Sequence, residues 1–444
     1  MTMGRRRAKQ QELFIEADRI EVPGYPFFDR LNRILSEAGF DAWAETVASP
    51  FYRWNEGRES VAPGVYCRML FLGWFEGIGS ERQIARRCAD SLSLRRYLGY
   101  GPGERTPDHS TLSRIRHRLP EDFHELVFDW VLELLRKEGL VLGRKLGVDS
   151  SELQANASLK KIKYKQTGQY YRQYVRSLAE QQGVAVKDDD DLNRFDRNRG
   201  GKTLSNEAWE SSTDPDAKIA RMKNGTTRLA YKAEHAVDLD SGVIVSAELL
   251  ASDQRDAQTL IGTVARAGSK LEALGLDTVM VTAADKGYYS KANAARLLLA
   301  GVTALLSQPR SVKHGPDGLG YLGKINEAHN RSWLGKCIHR LRTMHTERSF
   351  AHLLETGGMR RLYLRGRANA QKRYCLHAAA FNLGRLMLKK TGSGTPRGMD
   401  EGGKGPAGGQ TGLLAGLFRR LPGRRPVRTD TRFEPDSGFL PLAA

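Results

Sequence analysis

The sequence predicts a mixed α/β domain preceded by an all-helical segment and followed by a low-complexity tail. Three observations predict it. From about Phe27 to Leu142 the apolar residues recur at helical spacing with almost no β-rich run. From about Arg144 to Leu306 short apolar runs alternate with helical patterns, as expected of a sheet with helices on its faces. Beyond about Lys390, Gly, Pro and Arg dominate, which predicts a disordered basic tail.

In the helical segment Tyr66, Met69, Leu70, Leu72, Trp74 and Phe75 make a strongly apolar helix, broken by Gly77 to Ser80. Ser80 is placed to cap the next helix, SERQIARRCAD. The stretch PDHSTLSRIRHRL sets Leu112, Ile115 and Leu119 on one face and Arg114, Arg116, His117 and Arg118 around the rest. VFDWVLELLRKEGLV is another amphipathic helix, with Gly139 at its end. The period then changes. RKLGVDSSEL predicts a short apolar strand ending in Asp149, and LKKIKYKQTGQYYRQYVRSL predicts a basic, Tyr-rich helix. Residues 187–212 show no usable periodicity and predict an exposed insertion. LAYKAEHAVDLD and GVIVSAELL predict a hairpin turning at Asp240-Ser241-Gly242. DAQTLIGTVARAG is helical, DTVMVTAAD is a strand ending in Asp285, KANAARLLLAG is a helix and VTALLSQ a fifth strand. ERSFAHLLE starts a further helix. The expected domains are 1–140 (helical), 141–390 (α/β, with an insertion around 158–225) and 391–444 (the tail).

Lys and Arg number 70 against 51 Asp and Glu in 444 residues, a net charge of +19. So large an excess points to a polyanion, with nucleic acid the first candidate. No run of 18 uncharged apolar residues occurs, so no membrane partner is expected. The N-terminus MTMGRRRAKQQELF lacks the apolar stretch of a signal peptide. Cys67, Cys88, Cys337 and Cys375 lie far apart, without zinc spacing, which predicts a reducing, cytoplasmic compartment.

The two strand-terminal aspartates carry the chemistry. Carboxyl ends of strands gather function because their loops converge on one crevice. Two carboxylates brought together there repel unless a cation lies between them. Mg²⁺, or Mn²⁺ in its place, takes oxygen ligands, and two such ions suit phosphodiester displacement. A third carboxylate is expected from Glu347 or Glu355, eight residues apart and so about 80° apart on a straight helix. Glu347, near the predicted helix start, is the one expected to reach the strand ends; Glu355 should face solvent or pair with an arginine such as Arg361. Phe350, Leu353 and Leu354 should face the sheet.

Basic residues supply the expected DNA surface. Lys160, Lys161 and Lys163 alternate with tyrosines behind Asp149, a pattern suited to phosphate contact and base stacking. Arg360, Arg361, Arg365, Lys372 and Arg373 follow the Glu347 helix and suit a track beside the metals. Ser80–Asp90 and His109–Arg118, with Arg114, Arg116 and Arg118, suggest a helix-turn-helix reader. RGGKT at Arg199–Thr203 is not a P-loop, since Asp196 occupies the first glycine's place. Asp188–Asp191 lacks the glycine and Glu of a calcium loop. His235, within a strand, reads as a satisfied sheet residue rather than a catalyst.

Taken together, the segments MLFLGWFEGIGSERQIARRCADSLSLRRYLG, PDHSTLSRIRHRL, GVDSSELQANAS, DPDAKIARMK, LAYKAEHAVDLDSGVIV, TAADKGYYS and ERSFAHLLETGGMRRLYLRGRANAQKRYCLHAAAFNLG resemble a DDE transposase of bacterial insertion sequences, from the group with an all-helical N-terminal domain. The resemblance covers roughly residues 25 to 390. It implies a ribonuclease-H-like catalytic fold, with Asp149 and Asp285 in the places of the family's two aspartates and Glu347 in that of its glutamate. It further implies double-stranded DNA partners (inverted repeats and target), a homodimer in the DNA complex, and a bacterial, nucleoid-associated location. Related transposases carry Tyr-x-x-Arg-x-x-x-Glu with Lys seven residues later. Here Arg340, Thr343 and Leu354 fill those slots, leaving Arg342, Arg348, Arg360 and Arg361 as sources of positive charge. A ribonuclease-H-like nuclease without strand transfer and a non-catalytic DNA-binding regulator fit the charge as well; the intact carboxylates argue against the regulator.

Overall fold

Helical spacing in the first part of the chain becomes a run of packed helices. The structure, a computed structural model, describes residues 22, 24–53, 60–202, 204–222, 224–309 and 318–400. The helices are α1 (Pro26–Glu37), α2 (Phe40–Ala48), α3 (Pro63–Phe75), α4 (Glu81–Asp90), α5 (Leu92–Tyr97), α6 (His109–Arg118) and α7 (Glu121–Lys137). Asp108 caps α6 by accepting from the Thr111 amide, and Leu112, Ile115 and Leu119 are buried as their spacing requires. Helix α3 is buried almost all round, as a helix apolar on every side must be.

The chain then forms β1 (Lys145–Gln154), β2 (Ile162–Tyr164), α8 (Tyr171–Gln181), α9 (Asp189–Asn198), β3 (Trp209–Ser211), β4 (Lys218–Arg221), β5 (Thr227–Asp238) and β6 (Ile244–Ala251). There follow α10 (Asp256–Ala273), β7 (Val281–Ala284), α11 (Lys291–Leu299), β8 (Thr303–Leu306), α12 (Gly318–Arg331), α13 (Trp333–Phe350), α14 (Arg367–Thr391) and α15 (Pro396–Asp400). In the main sheet the order is β4-β5-β1-β7-β8, and β6 also pairs with β5. Strand β5 is antiparallel to β1, β4 and β6, whereas β1, β7 and β8 run parallel. An antiparallel hairpin on one side of β1 and parallel, helix-connected strands on the other make this a ribonuclease-H-like sheet. The hairpin turns at Gly242, whose φ of +74° a side chain rarely adopts.

Helix α14 lies between the two parts, packing on α7 and α3 on one side and on β6 on the other. It is buried along most of its length, and the helical segment and sheet share one core. The described residues form one compact unit.

Four expectations are corrected. Strand β1 continues to Gln154, so Asp149 lies within it rather than at its end. Residues 187–212 hold α9, whose N-terminus Asp188 caps by accepting from the Asp190 and Asp191 amides, and β3. The Tyr-rich stretch is strand β2 before it is helix α8. Finally, α14 runs through Thr391 and α15 follows with Pro396 buried, so order extends past residue 390. The rest of the predicted tail, 401–444, and the basic N-terminus lie outside the described residues.

Candidate active site

Strands β1 and β7 pair in register from Lys145 with Val281 to Val148 with Ala284. The next residue on each is Asp149 and Asp285, so the two aspartates emerge side by side where the parallel ladder stops. Asp285 opens a turn of 3₁₀ helix (Lys286–Tyr288) and its Oδ1 accepts from the Gly287 amide at 2.9 Å. Loops leaving the carboxyl ends of parallel strands are where such sheets place ligands.

Asp149 is held on both oxygens. Oδ1 accepts from the Ser150 amide at 2.8 Å, and Oδ2 accepts from Thr346 Oγ1 at 3.2 Å and from Arg342 Nη1 at 3.4 Å. Arg342 and Thr346 are one turn apart on α13, which lies across β1 and β7. Burial raises the Asp149 carboxyl above its ordinary pKa. The Ser150 amide and the Arg342 charge oppose that rise, and the charge of Asp285 adds to it. A half-buried pair of carboxylates, in which the charge of Asp285 disfavours that of Asp149, fits a hard divalent cation. Among the described residues no three His, Cys, Asp or Glu stand close enough together to hold a metal ion.

Glu347 is exposed and lies in the last turn of α13, not at a helix start as expected. Thr346, one residue before it, and Arg342 are the α13 side chains that reach Asp149. A π-helical segment, Ala351–Thr356, follows, so no straight helix joins Glu347 to Glu355. Glu355 is exposed and pairs with Arg360 rather than Arg361. Phe350, Leu353 and Leu354 are buried, and Phe350 stacks on His235 with ring centroids 3.9 Å apart. His235, opposite Asp149 in the β1–β5 register, bonds to Tyr374 Oη at 2.9 Å and Ser349 Oγ at 2.7 Å.

Beneath the aspartates lies a polar cluster that periodicity does not reveal. Lys232 Nζ contacts Glu234 Oε2 at 2.9 Å, Asp256 Oδ1 at 2.7 Å and Thr259 Oγ1 at 2.9 Å. Ser150 Oγ donates to Asp256 Oδ1 at 3.0 Å, and Tyr288 Oη donates to Glu234 Oε2 at 3.0 Å. Burial, followed by the charge of Glu234, pushes the Tyr288 hydroxyl far above its ordinary pKa, so it stays a donor. The one signal in the sequence is a Lys and a Glu alternating within an otherwise apolar strand, KAEHAV.

The basic residues divide. Arg348, Arg360, Arg361 and Arg365 are exposed, and Arg360–Leu362 is bonded to the end of β1 through Gln154. Lys160 and Lys161 are exposed, while half-buried Lys163 lies over the Tyr170 ring at 4.9 Å. The interleaved aromatics Tyr164, Tyr171 and Tyr174 surround Trp209 as a local core, so base stacking is not open to them as placed. Arg114 and Arg118 are exposed.

Arg116, Lys372 and Arg373 are not surface residues, contrary to expectation. Arg116 is 7% exposed and paired with Glu81, whereas Lys372 donates to the Arg116 and Leu119 carbonyls at 2.8 and 2.7 Å. Arg373 is 4% exposed, with Glu81 at 3.7 Å. They join α6 and α14 inside the protein because a buried charge needs partners. Helices α4 and α6 do pack together, but α5 lies between them in the chain, so they are not the short-turn pair of a helix-turn-helix.

Two family models match the chain. A transposase domain model (DUF772) matches residues 18–118, and a transposase DDE domain model matches residues 198–383, which contain Asp285 and Glu347 but begin after Asp149. Among solved structures, the Mos1 transposase paired-end complex with left transposon end aligns at 10% identity over 71% of this chain and 86% of that one, with a TM-score of 0.19, too slight a likeness to support any inference. No curated protein matches the chain. Among the described residues no helix is long and apolar enough to cross a membrane. With one transposase model on its helical segment and another on most of its sheet, the chain belongs to the DDE transposases.

Proposed function

We propose that this transposase binds the ends of its insertion sequence as a homodimer, hydrolyses a phosphodiester there, and joins the released 3′-hydroxyl to double-stranded target DNA. The observation that carries this reading is the adjacent placement of Asp149 and Asp285 at the end of the β1–β7 ladder. These two carboxylates would hold Mg²⁺ or Mn²⁺, with Glu347 as the third ligand. Divalent cations, when bound, activate an attacking oxygen and stabilise the leaving one in an in-line displacement.

The chain's own residues do the rest. Arg342 and Thr346 orient Asp149 through its Oδ2. Arg348, Arg360, Arg361 and Arg365, exposed around the Glu347 helix and the end of β1, contact phosphates, joined by Lys160, Lys161 and Lys163 on the insertion. Arg114 and Arg118 on α6 take the reader's place. No covalent protein–DNA bond is required, because the oxygen nucleophiles are water and then the DNA 3′-hydroxyl.

The test is strand transfer with Mg²⁺ or Mn²⁺ on DNA carrying the element's own ends. Joined product supports the reading. Cleaved ends that never join would mark a nuclease, and binding without cleavage a regulator.

A further inference from the structure

We propose that Tyr288 is a positioning residue for Asp285: its hydroxyl, bonded to Glu234 above Lys232, fixes the turn that presents the aspartate. Asp285 leaves β7 and enters a 3₁₀ turn of only three residues, and its carboxylate is held by the Gly287 amide of that turn, so whatever fixes the turn fixes the aspartate. Tyr288 closes this turn and is fully buried. Its Oη donates to Glu234 Oε2 at 3.0 Å, and its ring lies 5.6 Å from the Lys232 ammonium.

Glu234 is itself held on both oxygens. It is wholly buried on β5 and accepts from Thr259 Oγ1 at 2.7 Å, from Thr263 Oγ1 and from Lys232. The same lysine holds Asp256, which accepts from Ser150, the neighbour of Asp149. Gly287 completes the fit: a Cβ there would meet Asp256 Oδ2 at 2.6 Å, so the turn packs directly on this carboxylate. One lysine-centred cluster therefore touches the chain beside both aspartates. Buried hydrogen-bonded groups behind metal-binding carboxylates set the carboxylates' orientation, and their loss weakens metal binding.

This inference rests on the reading of Asp285 as a metal ligand, and the experiment separates the two. Mn²⁺ binding to the full-length protein is measured directly, by the electron paramagnetic resonance signal of free Mn²⁺, for wild type, Tyr288→Phe and Asp285→Asn. Tyr288→Phe keeps the ring and leaves Glu234 its threonine and lysine partners, so the fold is retained; thermal unfolding without metal checks this. The expected result is a roughly tenfold weaker Mn²⁺ affinity for Tyr288→Phe, the size of effect seen when such supporting bonds are removed. The Mn²⁺ half-saturation of cleavage should rise in parallel, with the rate at saturating Mn²⁺ little changed. Wild-type Mn²⁺ affinity in Tyr288→Phe, beside abolished binding in Asp285→Asn, would overturn the positioning role alone. A lower saturated rate with unchanged Mn²⁺ affinity would also overturn it. Wild-type binding by Asp285→Asn would overturn the assignment of Asp285 itself.

Discussion

Asp149 and Asp285 follow directly on Val148 and Ala284, the last registered pair between two parallel strands. Neighbouring parallel strands lie about 4.8 Å apart, so the two aspartates leave the sheet from adjacent backbone positions. Asp149→Asn and Asp285→Asn should each abolish Mg²⁺-dependent cleavage while leaving DNA affinity within about twofold. Cleavage assays and binding titrations on the same preparations check this. Near-normal cleavage by either variant removes that residue from the site.

The third ligand is tested by a contrast between two glutamates. Glu347 is in α13, next to a residue that bonds Asp149, and Glu355 is within the π-helical segment and occupied by Arg360. Glu347→Gln should lose cleavage, whereas Glu355→Gln should keep it. An exposed ion pair such as Glu355–Arg360 contributes about 0–1 kcal/mol, so its removal should also leave stability nearly unchanged. Loss of cleavage only in Glu355→Gln would reverse the assignment.

Much of this arrangement is legible in the sequence because strands and amphipathic helices announce themselves by period. Asp149 and Asp285 stand out as carboxylates at the edge of apolar runs, and the β5–β6 hairpin by its Asp-Ser-Gly turn. What periodicity does not carry is which end of a helix a residue occupies when neighbouring turns are polar. WLGKCIHRLRTMHTERSF has no clean apolar stripe, so nothing in the pattern marks the start of α13 fourteen residues before Glu347. Nor does sequence distinguish an arginine facing DNA from one facing another helix. Arg116 and Arg114 are two residues apart in one basic run, yet one is buried against Glu81 and the other is exposed. The polar cluster around Lys232 is invisible for the same reason: its members come from β1, β5, α10 and the Asp285 turn, and only tertiary packing joins them.

That division of the arginines predicts two kinds of phenotype. Replacing Arg360, Arg361 and Arg365 with Ala should weaken binding to all DNA sequences alike. The salt dependence should fall by about one unit of slope for each phosphate that is no longer neutralised. Arg114→Ala with Arg118→Ala should instead reduce discrimination between element ends and random DNA. A uniform drop in affinity there would make α6 a phosphate clamp only.

Arg116→Ala should behave differently, as a stability mutant. It removes the nearer of Glu81's two buried arginine partners and leaves only Arg373 at 3.7 Å, and breaking a buried ion pair costs about 3–5 kcal/mol. Denaturant unfolding should show the loss at any salt concentration, with folded protein binding DNA as tightly as wild type. Weaker DNA binding with unchanged stability would place Arg116 at the interface after all.

The buried histidines make the fold less stable in acid. Burial lowers His124 and His235 to about 3 and His345 to about 4, and holds His377 well below its ordinary value. The unfolded chain titrates these groups near 6.5, so between that pH and about 3 the unfolded state binds more protons. Their contribution to stability is therefore complete above pH 6.5 and is lost as pH falls toward 3, at up to about 1.4 kcal/mol per pH unit for each histidine. His235 allows one of these to be isolated. It joins β5 to α13 through Ser349 and to α14 through Tyr374, and a glutamine can make neutral hydrogen bonds of the same kind. Urea unfolding of wild type and His235→Gln at pH 7 and pH 5 should show a smaller stability loss in the variant, by about one proton's worth of slope. Equal losses would mean that His235 is already protonated in the fold, and that Ser349 and Tyr374 both accept from it.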